Sequence, residues 1–336
     1  MSKAKSRSAI DPELAAYLPK IPQLDLADIE AARALAAQRS SGMAGHHADV
    51  RVREHEITSA ARGTSVKVWL YTPTGLSESA SALLYLPGGG FVIPPSAMAF
   101  GRCAELAKEL RMIVLLVEYR LAPEHPFPAA LTDALTALEW LAAESASIGA
   151  DGARIGIAGD SAGAALAAGL ALWVRDNGGP ELCFQYLGIP VLDDRLETHS
   201  MVNFVDAPLW NRRSAELSWS YYRPRSTPYI DGINATEYFA PARHEDLAGL
   251  PPTYVSVCEF DPLRDEGIEY AARLLRAGVT TELHAYPGTF HGSHQLPSAV
   301  SRRMERDRTE ALMTGLRIAG HDDRPTLGIS ISRTAS

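Results

Sequence analysis

Residues 159–163 read Gly159-Asp160-Ser161-Ala162-Gly163, set between the apolar run "RIGIA" and an alanine-rich stretch. This is the G-x-S-x-G pattern, in which a strand turns sharply into a helix and leaves a serine hydroxyl on the turn. The helix that starts there aims its first N–H groups and its positive end at charge developing beside the serine. A serine hydroxyl needs a base, and the base needs an orienting acid. On such a scaffold the acid follows the serine in the chain and the histidine comes last. After Ser161, the run "PTYVSVCEF" leads into Asp261, and "TELHAYP" is followed by "GTFHGS", which carries His291. Both fall on loops after successive strands and are expected as acid and base. Glu259, Asp265 and Glu266 rank below Asp261, and His284 and His294 read as packing or surface histidines.

A second stretch, "LYLPGGGFV" at 84–92, is an apolar strand running into a proline and three glycines. Glycine loses the most entropy on folding, so a triplet here implies that bare backbone must approach something closely. The N–H groups of Gly89 and Gly90, with that of Ala162, are candidate donors to an oxyanion. No Lys or Ser/Thr follows at the spacing of a phosphate-cradling loop.

The segments "YRLAPEHPFPAALTDA", "GDSAG", "DPLRDEG" and "FHGS" resemble the signatures of the hormone-sensitive-lipase family (bacterial family IV) of α/β-hydrolases, a likeness spanning Asp11 to about residue 317. The resemblance implies an α/β-hydrolase fold, Ser161, Asp261 and His291 as a triad, and an N-terminal segment joining an insert as a helical cap. It further implies a serine carboxylesterase acting, without a cofactor, on acetyl-like esters of a small organic or natural-product alcohol, and it allows a homodimer through a sheet edge or the last helices. A lyase or dehydratase on the same scaffold and a non-catalytic ligand-binding relative are the alternatives; the presence of His291 speaks against the latter. One position departs: the family reads His-Gly-Gly-Gly where this chain has Pro87-Gly88-Gly89-Gly90.

The elements that must position these residues alternate. "VRVREHEIT" and "VKVWLY" read as an antiparallel pair with one wet face. "ALLYL", "MIVLLVEY", "RIGIAG", "FQYLGIPVL", "TYVSVCEF" and "TELHAYP" are mostly apolar throughout, as in strands covered on both faces. Helical stretches at 97–110, 128–144, 162–176 and 264–277 lie between them, so the expected class is α/β, a mostly parallel sheet covered by helices on both faces. The expected organisation is an N-terminal helical cap segment at 1–48, a catalytic domain at 49–192 and 236–320, an inserted cap segment at 193–235 and a loose tail at 321–336. The insert is too aromatic for a solvated loop. Phe204, Trp210, Trp219 and Tyr222, with Phe91 and Asp160, are candidate substrate-binding residues, and the aromatics serve equally well to pack the insert down.

The chain has 336 residues, 46% hydrophobic and 21% charged, enough for a sizeable core. With 40 acidic against 32 basic side chains and no basic run beyond "MSKAKSR", nucleic acid and anionic membrane are poor partners, and a small-molecule ester fits better. Cys103, Cys183 and Cys258 show no C-x-x-C spacing and read as small buried hydrophobes. Neither His46-His47 nor the His291/His294 pair has a carboxylate or cysteine at ligand spacing, so no metal is expected. No signal-peptide core and no run of about 18 uncharged apolar residues is present, which reads as a soluble cytoplasmic protein.

Overall fold

The computed structural model describes residues 10–21, 25–40, 49–76 and 79–318. The His46-His47 pair and the 321–336 tail lie outside them. Eight strands form one sheet: β1 (Val50–Ser59), β2 (Thr64–Pro73), β3 (Ala80–Leu86), β4 (Ile113–Glu118), β5 (Ala150–Asp160), β6 (Phe184–Gly188), β7 (Thr253–Cys258) and β8 (Thr281–Tyr286). Their order across the sheet is β1-β2-β4-β3-β5-β6-β7-β8. β2 runs antiparallel to β1 and β4, and every later pairing is parallel.

Sequence texture explains the layering. In β2 the alternation of "VKVWLY" buries Val66, Val68 and Leu70, while β1, at the edge, is exposed on both faces except near Val50 and Ile57. β3 and β7 are buried at every residue, as unbroken apolar runs between two helical layers must be. One layer packs α4 (Ala129–Ala143) and α5 (Ala162–Asn177) on the sheet through Leu131, Leu135, Leu166 and Leu170; the other uses α3 (Ala97–Leu110) and α9 (Ala299–Gly315) through Leu106, Leu110, Leu312 and Leu316. The apolar run at 184–192 stays buried throughout, but only its first half is strand. Ile189 turns to φ 41° and Pro190 has no N–H to give a ladder, so the chain leaves the sheet after Gly188.

The insert carries α6 (His199–Asn203) and α7 (Arg212–Tyr222), and α8 (Arg264–Arg276) follows β7. It meets the N-terminal segment, which holds α1 (Pro12–Ala15) and α2 (Ile29–Ser40). Ile10 and Leu14 cluster with Phe204, Leu209, Phe260 and Phe290, and the Tyr221 hydroxyl donates to the Leu26 carbonyl at 3.2 Å. Glu13 accepts from the Ala299 N–H at 2.6 Å, and Asp11 donates from its own N–H to the Gly288 carbonyl at 2.9 Å. The first turn of the chain is thereby tied beside the loop that carries His291.

Candidate active site

Ser161 sits at the end of β5 with φ 57° and ψ −120°, a region that costs a non-glycine residue about 1–3 kcal/mol. The neighbouring glycines are required by space. A Cβ on Gly159 would collide with the Gly163 backbone, and one on Gly163 with the Leu86 carbonyl. The bend is held from the other side by hydrogen bonds from the Ser161 N–H to the Gly188 carbonyl (2.8 Å) and from the Val191 N–H to the Ser161 carbonyl (3.2 Å). From there α5 runs through the core, buried from Ala162 to Val174, so its N-terminal end is fixed.

Ser161 Oγ lies 3.0 Å from His291 Nε2, and His291 Nδ1 lies 2.7 Å from Asp261 Oδ2. A carboxylate accepts only, so the Asp261 contact places the ring proton on Nδ1 and leaves the Nε2 lone pair toward the hydroxyl. Asp261 is itself oriented by the Leu263 N–H, which donates to Oδ1 at 2.9 Å. The competing acids are engaged elsewhere: Glu259 accepts from the Gly288 N–H, Asp265 from the Ser200 N–H, and Glu266 from the Leu192 N–H. Burial pushes the Glu266 carboxyl well up. His284 is bound by Glu282 and Asp307 on the sheet edge.

The glycine loop packs backbone to backbone against the bend, since a Cβ on Gly88 would come within 2.8 Å of the Asp160 carbonyl. The Gly89 carbonyl accepts from the Val92 N–H (3.1 Å) and the Ile93 N–H (2.8 Å). The peptide is planar and trans, so the Gly90 N–H points the opposite way. Among the described residues, the N–H groups of Gly89, Gly90 and Ala162 donate to no protein acceptor. Backbone donors left unspent are what an oxyanion site for acyl transfer would draw on.

The family model described as "alpha/beta hydrolase fold" matches residues 83–295, which hold the glycine loop and all three of these side chains. The chain belongs to that family. Esterase LipI of Mycobacterium tuberculosis is 38% identical over 295 residues, covering 86% of this chain and 89% of the relative. Ethyl acetate hydrolase of Pseudomonas putida is 29% identical over 311 residues, covering 88% and 96%. The solved structure of bacterial heroin esterase is 46% identical, covers 93% of this chain and 99% of that one, and superposes with a TM-score of 0.87. This α/β-hydrolase is a carboxylic ester hydrolase of the hormone-sensitive-lipase-like branch.

The aromatic candidates for the pocket of the hydrolase separate into three groups. Trp210 lies beside His291 and the glycine loop: its ring centroid is 5.7 Å from that of His291, and a Cβ on Gly90 would stand 2.7 Å from its ring edge. Its buried Nε1 has no partner among the described residues. Phe91, Trp219 and Tyr222 form a stack behind the glycine loop, with the Phe91 and Tyr222 rings parallel at 3.8 Å. Phe204 instead packs edge-on to Phe260 under the Arg264 guanidinium, joining the insert to the N-terminal cluster.

Asp160 departs from its expected place on the substrate. Its carboxylate accepts from the Tyr85 hydroxyl at 2.7 Å, lies 4.0 Å from Arg102 and faces Gly188, where a Cβ would collide with it. The sharp turn that lifts Ser161 toward the insert sends the preceding side chain into the core on the α3/α9 side. There it lines a cavity of about 10 Å³ with Arg102, Tyr186, His294 and Glu305. Tyr119 was a missed contributor: its hydroxyl donates to the Pro87 carbonyl at 2.7 Å, inside the "YRLAPE" segment that signals the family.

Among the described residues no three His, Cys, Asp or Glu side chains are grouped to hold a metal, and no helix is long and apolar enough to cross a membrane. Burial pushes the Cys258 thiol up to about 12.

His294 gives a stability prediction. Burial, helped by the Arg102 charge, brings its imidazole down to about 3. The unfolded chain takes up this proton near pH 6.5 and the folded one only near 3, so stability falls as pH drops through that window, by up to ~1.4 kcal/mol per pH unit. Glu305, raised to about 7 chiefly by burial, works the other way and loses stability as pH rises toward 7. Chemical denaturation between pH 4.5 and 6.5 should therefore show a shallower acid loss in His294→Gln than in the wild type. Parallel curves would refute the assignment.

Proposed function

We propose that this hydrolase cleaves short-chain acyl esters of small alcohols through an acyl-enzyme formed on Ser161. The observation that carries the reading is the continuous line from Asp261 through His291 to Ser161, and the unspent N–H groups of Gly89, Gly90 and Ala162 supply the donors it needs. Ser161 Oγ attacks the ester carbonyl as His291 Nε2 takes its proton, and the carbonyl oxygen becomes an oxyanion held by the three N–H groups. Collapse breaks the bond to the alcohol, which leaves with the proton from His291. Water then repeats the sequence on the acyl-enzyme, deprotonated by His291, and releases the acid. Asp261 holds the ring and stabilises the imidazolium in both halves.

The insert and the N-terminal segment act as a cap over this centre. Trp210 closes the space above His291, and Phe91, Trp219 and Tyr222 fill what would otherwise be room for a long acyl chain behind Gly90. The relative named for ethyl acetate, a two-carbon acyl ester, is in keeping with this. Acetyl to butanoyl 4-nitrophenyl esters should exceed dodecanoyl by well over tenfold in kcat/KM. Preference for dodecanoyl or longer esters, with activation at a lipid–water interface, would overturn the short-chain reading.

A further inference from the structure

The glycine loop is held by its carbonyls, and the holders come from three directions. The Pro87 carbonyl accepts from Tyr119 in the sheet domain, and the Phe91 carbonyl from the Ala122 N–H at 3.0 Å. The other two belong to the cap. Ser218 on α7 donates its hydroxyl to the Gly90 carbonyl at 2.8 Å, and Arg33 on α2 donates from Nε to the Val92 carbonyl at 2.8 Å. Arg33 is steadied in turn by Glu124 and by the Ala122 carbonyl.

We infer that Ser218 is a positioning residue for catalysis: through the Gly90 carbonyl, the cap sets the aim of the Gly89 and Gly90 N–H groups. The inference rests on the esterase reading above. Ser218 is fully buried in an otherwise aromatic contact, and its hydroxyl has that carbonyl to bond. Gly90 has φ 58°, and a Cβ there would meet both the Trp210 ring and, at 3.3 Å, Ser218 Oγ, so the loop is shaped to let α7 this close. The next residue, Phe91, holds a left-handed φ of 63°, which a bulky residue keeps only when its surroundings dictate it. Here the surroundings are Trp219 and Tyr222, the residue after Ser218 and one turn on. With Pro87 where the family has a histidine, the first position of the loop has no side-chain hydrogen bond to contribute, and rigidity rests on these carbonyl clamps.

Both halves of the reaction pass through an oxyanion, so loosening the clamp should appear in kcat and leave KM alone. Ser218→Ala removes one oxygen and retains the helix. Per active site titrated with diethyl 4-nitrophenyl phosphate, its kcat on 4-nitrophenyl acetate should fall fivefold or more, with KM within twofold. Its inhibition constant for an alkyl trifluoromethyl ketone, whose adduct with Ser161 carries the oxyanion, should rise by a similar factor. Ser220→Ala, on the outer face of the same helix, should match the wild type. A smaller fall in kcat, or a loss carried by KM, overturns the inference and leaves the esterase reading intact. A wild type that neither titrates at Ser161 nor turns over the ester defeats that reading itself.

Discussion

Ser161→Ala is expected to reduce kcat on 4-nitrophenyl acetate by at least ~10³, with the circular dichroism spectrum unchanged. In the proposed mechanism the hydroxyl is the atom that bonds the substrate carbon, and it lies 3.0 Å from the base, His291 Nε2. Alanine fits the same buried bend, so the loss should be chemical rather than structural. His291→Ala should lose a comparable amount, and the double variant should be little worse than either, because neither group acts without the other. His294→Ala serves as the control. That imidazole faces the Arg102–Asp160 cavity, and its failure to support turnover when His291 is removed follows from its position. Near-normal turnover by His291→Ala would mean that the base has been misassigned.

Gly89→Ala should cost two to three orders of magnitude in kcat, the range for losing an oxyanion contact. Gly89 has φ 143°, outside what an L side chain adopts, and a Cβ there would collide with the Ile93 carbonyl. That carbonyl follows the Ile93 N–H that fixes the Gly89 carbonyl, so the loop cannot admit a methyl group and also keep its turn. Something must shift, and the Gly89 and Gly90 N–H groups shift with it. The residues that shape the rest of the proposed pocket are untouched by the substitution, so KM should change far less than kcat. Steady-state kinetics with acetyl and butanoyl esters check this, together with a melting curve to show that the domain survives. An active Gly89→Ala enzyme would place the oxyanion donors elsewhere.

Much of this was legible in the residues because it is local. Strands buried on both faces read as unbroken apolar runs, and β3, β4 and β7 lie where those runs fall. The serine turn is a property of five consecutive residues whose glycines are demanded by van der Waals contact within the turn itself. Asp261 and His291 could be located because a parallel sheet delivers the loops after successive strands to one edge. Where a side chain points at a bend was not legible. Asp160 adjoins Ser161 in the chain but occupies the opposite side of the sheet, bonded to Tyr85, 75 residues away. Period-2 reasoning fails where the backbone leaves the strand conformation. The aromatic insert announced itself by composition, yet composition could not separate Trp210 beside His291 from Phe204 on Phe260. Ser218 and Arg33 carried no signal at all. Their hydrogen bonds span 128 and 59 residues, and a lone serine or arginine in a helix looks the same whether it meets water or a loop carbonyl. The sequence by itself therefore determined the sheet, the bend and the chain order of serine, acid and histidine, since these follow from periodicity, turn sterics and the directionality of a parallel sheet. Only the tertiary structure decided what holds the glycine loop and which rings face the serine, since those depend on how distant elements dock.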